Sequence, residues 1–179
     1  MDDLCYLFAC TACKTWSDLR DSQNLDINIS EDSITDMLLL EMLRRTNRIA
    51  CKRYTRREES KSGADWLWWF VSENQGFPML IQAKRLYSSG RYEMLKYKKG
   101  SGKDQTNTLL RTARNRNNDW LPLFCFYNFW SSPSLPKNPL WGCALASAQS
   151  VKDHLLRSGQ QKNDIDSIFP MSVSWGVVA

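Results

Sequence analysis

An acid, an amide and an amine come close together when residues 65–84 are folded as a hairpin. Asp65 opens the run DWLWWFVS, and Gln82 and Lys84 close the run PMLIQAK. The segment ENQGF between them reads as a turn centred near Asn74. Antiparallel pairing about that centre sets opposite each other residues whose numbers sum to about 148, so Asp65 faces the neighbourhood of Ala83. Strand side chains alternate, which sends Gln82 and Lys84 to the same face. Trp66, Trp68, Leu80 and Ile81 make the setting apolar, and polar groups placed there are costly unless they are satisfied. One outcome is a structural Asp65–Lys84 ion pair at a strand end; the other is a reactive site. The chain holds a single histidine, His154, so chemistry needing two is excluded, and carboxylates, amides and lysines must carry any reaction.

The flanking elements decide how this hairpin is held. Residues 31–45, EDSITDMLLLEMLRR, predict a helix capped by Ser30, with acids in its first turn and arginines in its last. Ile34, Met37, Leu38 and Met42 are its expected buried stripe. Ile49–Thr55 reads as a strand, and Asp104 opens a second helix over DQTNTLLRTARNR, with Leu109, Leu110 and Ala113 inward. Leu121–Tyr127 is an apolar strand, and Ser147 caps a helix that ends at Gly159. Met171–Val178 is expected to be a final strand. Residues 31–127 thus run α-β-β-β-α-β, an α/β (α+β) arrangement with a mixed sheet flanked by helices. No internal repeat or second domain is evident, so residues 1–179 are expected to form one domain, its core about 30–128, with 129–179 packed on it.

GAD at 63–65 followed by IQAKR at 81–85 resembles the PD-(D/E)XK, or restriction-endonuclease-like, nuclease superfamily, most closely its Mrr-like branch, where glutamine replaces the acid of the (D/E)xK triplet. That superfamily shares the α-β-β-β-α-β order. The resemblance covers roughly residues 30–128 and implies Mg²⁺- or Mn²⁺-dependent hydrolysis of phosphodiester bonds, in host defence or restriction. It implies a metal site from Asp65, the Gln82 side-chain oxygen and the Ala83 carbonyl, with Lys84 beside the attacking water. The branch also places a glutamate at the start of the first helix, a further catalytic acid that ligates the cation directly or through water, and Glu31 has the matching spacing to Ile34, Met37 and Leu38. Glu41 on a neighbouring part of that helix, and Glu58 and Glu59 upstream of the GAD strand, remain alternatives. Gln82 is neutral, so this site carries one fewer negative charge than the acid-bearing form.

Charge is strongly segregated along the chain. The formal net charge is +5, yet residues 1–43 carry nine acids and only Lys14 and Arg20. Windows 44–61 and 84–116 together hold 18 of the 24 lysines and arginines. They are either solvated faces or a surface for a polyanion, most simply nucleic-acid phosphates. Directly after the QxK strand come Arg85, Arg91, Lys96, Lys98, Lys99 and Lys103, the expected phosphate contacts; the family resemblance further implies that Gln105, at the start of the next helix, points toward the site. DNA is the expected substrate, with RNA left open. The run GSGK at 100–103 lacks the frame of a phosphate-binding P-loop, since Tyr97 stands where its first glycine belongs.

Other classes fail. No GxSxG or Rossmann fingerprint is present, and His154, near the end of an amphipathic helix, reads as solvated. Trp66, Trp68 and Trp69 on a central strand read as core rather than as base-stacking platforms. Two acids precede a short apolar run at the start, no export signal is read, and no span suits a bilayer. The six cysteines are therefore expected as free thiols in a cytoplasmic protein. Two further functions compete with the nuclease: a nucleic-acid-binding or assembly module of the same fold without cleavage, and an interaction domain. In the latter, the acidic first 43 residues contact a basic partner or the basic face of a second copy.

Overall fold

The computed structural model describes residues 3–73, 75–92, 104–116, 120–157 and 163–178. They form a mixed α/β structure around one six-stranded sheet, with seven α-helices among the described residues. Helix α1 (Asp3–Asn24) precedes α2 (Glu31–Arg45), β1 (Ile49–Arg53) and α3 (Arg56–Ser62). Strands β2 (Trp66–Val71) and β3 (Gly76–Arg85) form the hairpin, followed by α4 (Gln105–Arg114) and β4 (Leu121–Tyr127). The chain closes with β5 (Cys143–Ser147), α5 (Ala148–Arg157), α6 (Ile165–Ile168), β6 (Val173–Ser174) and α7 (Trp175–Val178).

Spatial strand order follows chain order, β1 to β6. Neighbours are antiparallel except β3 and β4, which run parallel and are joined through α4, the kind of crossover that parallel pairing requires. The sheet is buried on both faces. On one side Phe8, Ala12 and Leu19 of α1 and Ile34, Leu38 and Met42 of α2 cover Trp66, Trp68, Ile81 and Ala83. On the other, Leu109, Leu110 and Ala113 of α4 and Val151 and Leu155 of α5 cover Leu67, Leu80, Phe124 and Phe126. Trp66 and Trp68 are fully buried, as expected of core, while Trp69 is half-buried and meets Trp120 edge-on at 5.8 Å between ring centroids.

Several boundaries differ from the sequence reading. The buried stripe of α2 is Ile34, Thr35, Leu38, Leu39 and Met42, whereas Met37 is 63% exposed. The stripe is shifted because Thr35 turns inward to a hydrogen bond of 2.9 Å with the Tyr127 hydroxyl. Met171–Val178 is not one strand: a two-residue β6 gives way to α7, whose Trp175 is buried against Phe8 and Trp68. Helix α3 interrupts the expected run from β1 to β2. Its signature is a capping box, with Thr55 Oγ1 accepting from the Glu58 N–H while the Glu58 carboxylate accepts from the Thr55 N–H. His154 is half-buried rather than solvated. All six cysteines are free, and among the described residues no helix is long and apolar enough to cross a membrane.

Candidate active site

Strand β3 outruns its partner, and the site lies where it does so. Pairing with β2 ends at Trp66 opposite Ile81, a register summing to 147, one less than expected. Gln82 to Arg85 continue against β4 alone, opposite Phe124 to Tyr127. On the uncovered side two carboxylates replace the missing strand. Asp65 Oδ2 accepts the Ala83 N–H at 2.5 Å, and Glu31 Oε2 accepts the Arg85 N–H at 2.9 Å. A residue's N–H and C=O point to the same side of a strand, so the Ala83 carbonyl opens into this gap between the two acids.

Alternation puts Gln82 and Lys84 on the face of Leu80 and Leu86, the side covered by α4. Both are buried, at 1% and 6% exposure, as is Asp65 at 6%. Lys84 Nζ lies 3.2 Å from Glu31 Oε1, so its ion pair is with Glu31 rather than with Asp65. Each Glu31 oxygen therefore receives one N–H. No described residue hydrogen-bonds the Gln82 amide, and its nitrogen is fully buried without a partner. Burial pushes the Asp65 carboxyl up to about 7, even though Lys84 and the Ala83 N–H pull it down; the charges of Glu31 and Glu59 add to the rise.

The backbone of Asp65 is anchored from β1 and α2. Its carbonyl accepts from the Tyr54 N–H and from Arg53 Nη1, both at 2.8 Å. The same guanidinium donates through Nε to Asp36 at 3.0 Å and through Nη2 to Asp32, both on the helix that carries Glu31. Arg53 is thus a brace between the two acid-bearing segments.

The other expected acids sit elsewhere. Glu41 pairs with Arg45 at 2.6 Å on the outer part of α2. Glu58 is occupied by its cap and by Lys52 at 2.6 Å; the Lys52 hydrogen bond, then Thr55, hold its carboxyl down to about 2. Glu59 accepts from Gln105 Nε2 at 2.8 Å, which ties the start of α4 to α3 beside the site. Among the expected phosphate contacts, Arg85 is 5% exposed, with Nη1 donating to Asn28 at 2.7 Å and to the Ile29 carbonyl. Its guanidinium fastens the loop before α2 and does not reach the surface. Arg91 is exposed, and its backbone bridges to Asp164. Lys96, Lys98, Lys99 and Lys103 lie outside the described residues.

The donor set fits a hard divalent cation in kind. Carboxylate, amide and peptide oxygens are what Mg²⁺ and Mn²⁺ take, and the buried Gln82 side-chain amide nitrogen has no partner among the described residues. Among the described residues no group of three His, Cys, Asp or Glu could hold a metal ion, so any such site leans on neutral oxygens.

A family profile matches residues 4–178, nearly the whole chain. The chain belongs to DUF6615, a family of unknown function. A search of curated proteins finds no match to it. The match extends over α1 and the β5–β6 region, which the expected nuclease core of about 30–128 leaves out, so the family unit includes both. Arg53 and α3 are the site components that sequence reasoning passed over in this DUF6615 member. The capping-box spacing Thr55-Arg-Arg-Glu58 is the signal that reveals α3. Nothing local could pair Arg53 with Asp32 and Asp36, because that contact exists only once β1 lies against α2.

Proposed function

We propose that the chain is a divalent-metal-dependent endonuclease of the PD-(D/E)XK, restriction-endonuclease-like type that hydrolyses phosphodiester bonds in DNA. The observation that carries this reading is the convergence of Asp65, Gln82, Lys84 and Glu31 at the uncovered end of β3. With α3 set aside as an insertion, α2-β1-β2-β3-α4-β4 follows the α-β-β-β-α-β order of that superfamily, and the parallel β3–β4 pair supports the same reading.

Asp65, the Gln82 amide oxygen and the Ala83 carbonyl would hold Mg²⁺ or Mn²⁺. The cation, when bound, supplies a Lewis acid for a phosphoryl oxygen and a water of lowered pKa. Lys84 holds a positive charge within reach of the same gap, where it orients a water and offsets negative charge developing on the phosphorus oxygens. Glu31 fixes that ammonium and the backbone at Arg85, and its remaining lone pairs would reach the cation directly or through water. Burial pushes the Asp65 carboxyl up to about 7, so Asp65 would give up its proton to hold the cation around neutral pH.

The neutral Gln82 and the occupied Glu31 favour one alternative, a binding or assembly module of this fold that does not cut. Supercoiled plasmid, a labelled DNA duplex and a matched RNA, each incubated with Mg²⁺, Mn²⁺ or chelator, separate the two. Cation-dependent nicking or linearisation of DNA supports the nuclease. Salt-sensitive DNA binding with no cutting under any cation selects the module instead.

A further inference from the structure

Of the expected phosphate contacts, Arg85 is inside the fold, Arg91 is exposed, and the four lysines lie outside the described residues. A further set of cations stands on α3 and α4, the two helices whose junction adjoins the Asp65 segment. Helix α3 presents Arg56, Arg57 and Lys61 to solvent, and α4 presents Arg111 and Arg114. The sequence separates these five residues into two windows; the fold joins them. Gly63, which ends α3 in a left-handed conformation at φ 73°, sits so close to α4 that a Cβ there would lie 2.5 Å from the Gln105 carbonyl oxygen and the Leu109 nitrogen. The Glu59–Gln105 hydrogen bond fastens the same junction.

The acids on these helices are turned to internal tasks. Glu58 is held by Lys52 and the α3 cap, Glu59 by Gln105, and Asp104 caps α4. None of the five basic side chains has an ion-pair or hydrogen-bond partner among the described residues. Arg57 and Lys61 are four residues apart, and Arg111 and Arg114 three apart, so each pair shares one helix face. Asp65 follows the end of α3 by three residues, and Gln105 begins α4 beside Glu59. At 1.5 Å per residue, Arg111 and Arg114 stand roughly 9 and 14 Å along α4 from that end, a reach of two successive backbone phosphates.

Resting on the nuclease reading, we infer that the α3–α4 face is the docking surface that lays a nucleic-acid phosphodiester backbone across the Asp65 site. The partner follows from charge: five exposed basic side chains with no ion-pair partner among the described residues, on two helices in contact, select a polyanion.

The test is fluorescence anisotropy of a labelled DNA duplex, and of a matched RNA, across a salt series in chelator. Wild type is compared with Arg57→Ala/Lys61→Ala, Arg111→Ala/Arg114→Ala and a control, Lys14→Ala on α1. These side chains are exposed, so the variants keep the fold. Each double variant is expected to weaken binding about tenfold at 0.1 M salt and to reduce the salt slope by about 2, at ~0.9 for each phosphate left without its cation, with Lys14→Ala unchanged. Cutting by wild type together with unaltered binding by both double variants overturns the surface and leaves the nuclease reading intact. Binding that depends on the α3–α4 face without cleavage supports the surface and overturns the nuclease. Binding of RNA alone that depends on this face keeps the surface and changes its substrate. Loss of self-association in the double variants with DNA affinity unaltered assigns the face to the acidic helices of a second copy, and overturns the inference.

Discussion

Arg53 Nη1 donates to the carbonyl oxygen of Asp65 at 2.8 Å while the rest of its guanidinium holds Asp32 and Asp36 of α2. One side chain therefore sets the distance between the segment that carries Asp65 and the helix that starts with Glu31. A fork of donors in fixed geometry can do this; a lysine ammonium, a single flexible point charge, cannot hold three acceptors in the same way.

Arg53→Lys should keep the fold and cost roughly 1.5–3 kcal/mol of stability, the range for losing hydrogen bonds to charged groups. In the proposed reaction it should lower kcat about tenfold or more with KM little changed, and move the acidic limb of the pH–rate profile, because Asp65 shifts relative to Lys84 and Glu31. Chemical denaturation and steady-state cleavage across pH check this. A variant with wild-type kcat and pH profile would show that the brace serves stability alone.

The buried Asp65 carboxyl makes stability depend on pH. Its folded value is about 7 against an ordinary 3.8. The native state therefore holds a proton that the unfolded chain has released across that window. Stability is full below about 4 and falls as pH rises toward 7. Asp65→Asn still accepts the Ala83 N–H and has no charge to bury, so it should melt several degrees above wild type at pH 8 in chelator and near it at pH 4. Thermal melts at the two pH values decide the matter; equal differences at both would contradict a buried, raised carboxyl.

Gln82→Glu bears on the cation. A glutamate there adds a negative charge beside Asp65, so the cation-free protein should lose stability at pH 8, while Mg²⁺ and Mn²⁺ should bind about tenfold more tightly, about 1.4 kcal/mol. Titration calorimetry with each cation, together with melts in chelator, measures both. Unchanged cation affinity would mean that Gln82 takes no part in a metal site.

What could be read from the sequence follows from how local each feature is. The β2–β3 hairpin was legible because one turn and strict alternation place Asp65 near Ala83, and the observed register differs by a single residue. Helix α2 was legible from its cap and end charges, and its boundaries coincide with those expected. Its buried stripe differs from the expected one because Thr35 is drawn inward by Tyr127, 92 residues away. Helix α1 lies against the sheet through Phe8, whose partners Trp68 and Trp175 come from two distant segments. At the site, residue identities were visible but their pairing was not. Lys84 meets Glu31, and Arg85 turns inward to Asn28, because β3 extends past β2 and leaves its edge to α2.

In the proposed reaction Asp65 and Lys84 act together on a phosphodiester bond, and cleavage of plasmid DNA tests that most directly. Purified wild type, Asp65→Ala and Lys84→Ala are each given Mg²⁺ or Mn²⁺, with circular dichroism confirming that every variant is folded. Cation-dependent cutting by wild type and its loss in both folded variants is the expected result. Cutting at the wild-type rate by both variants would contradict it.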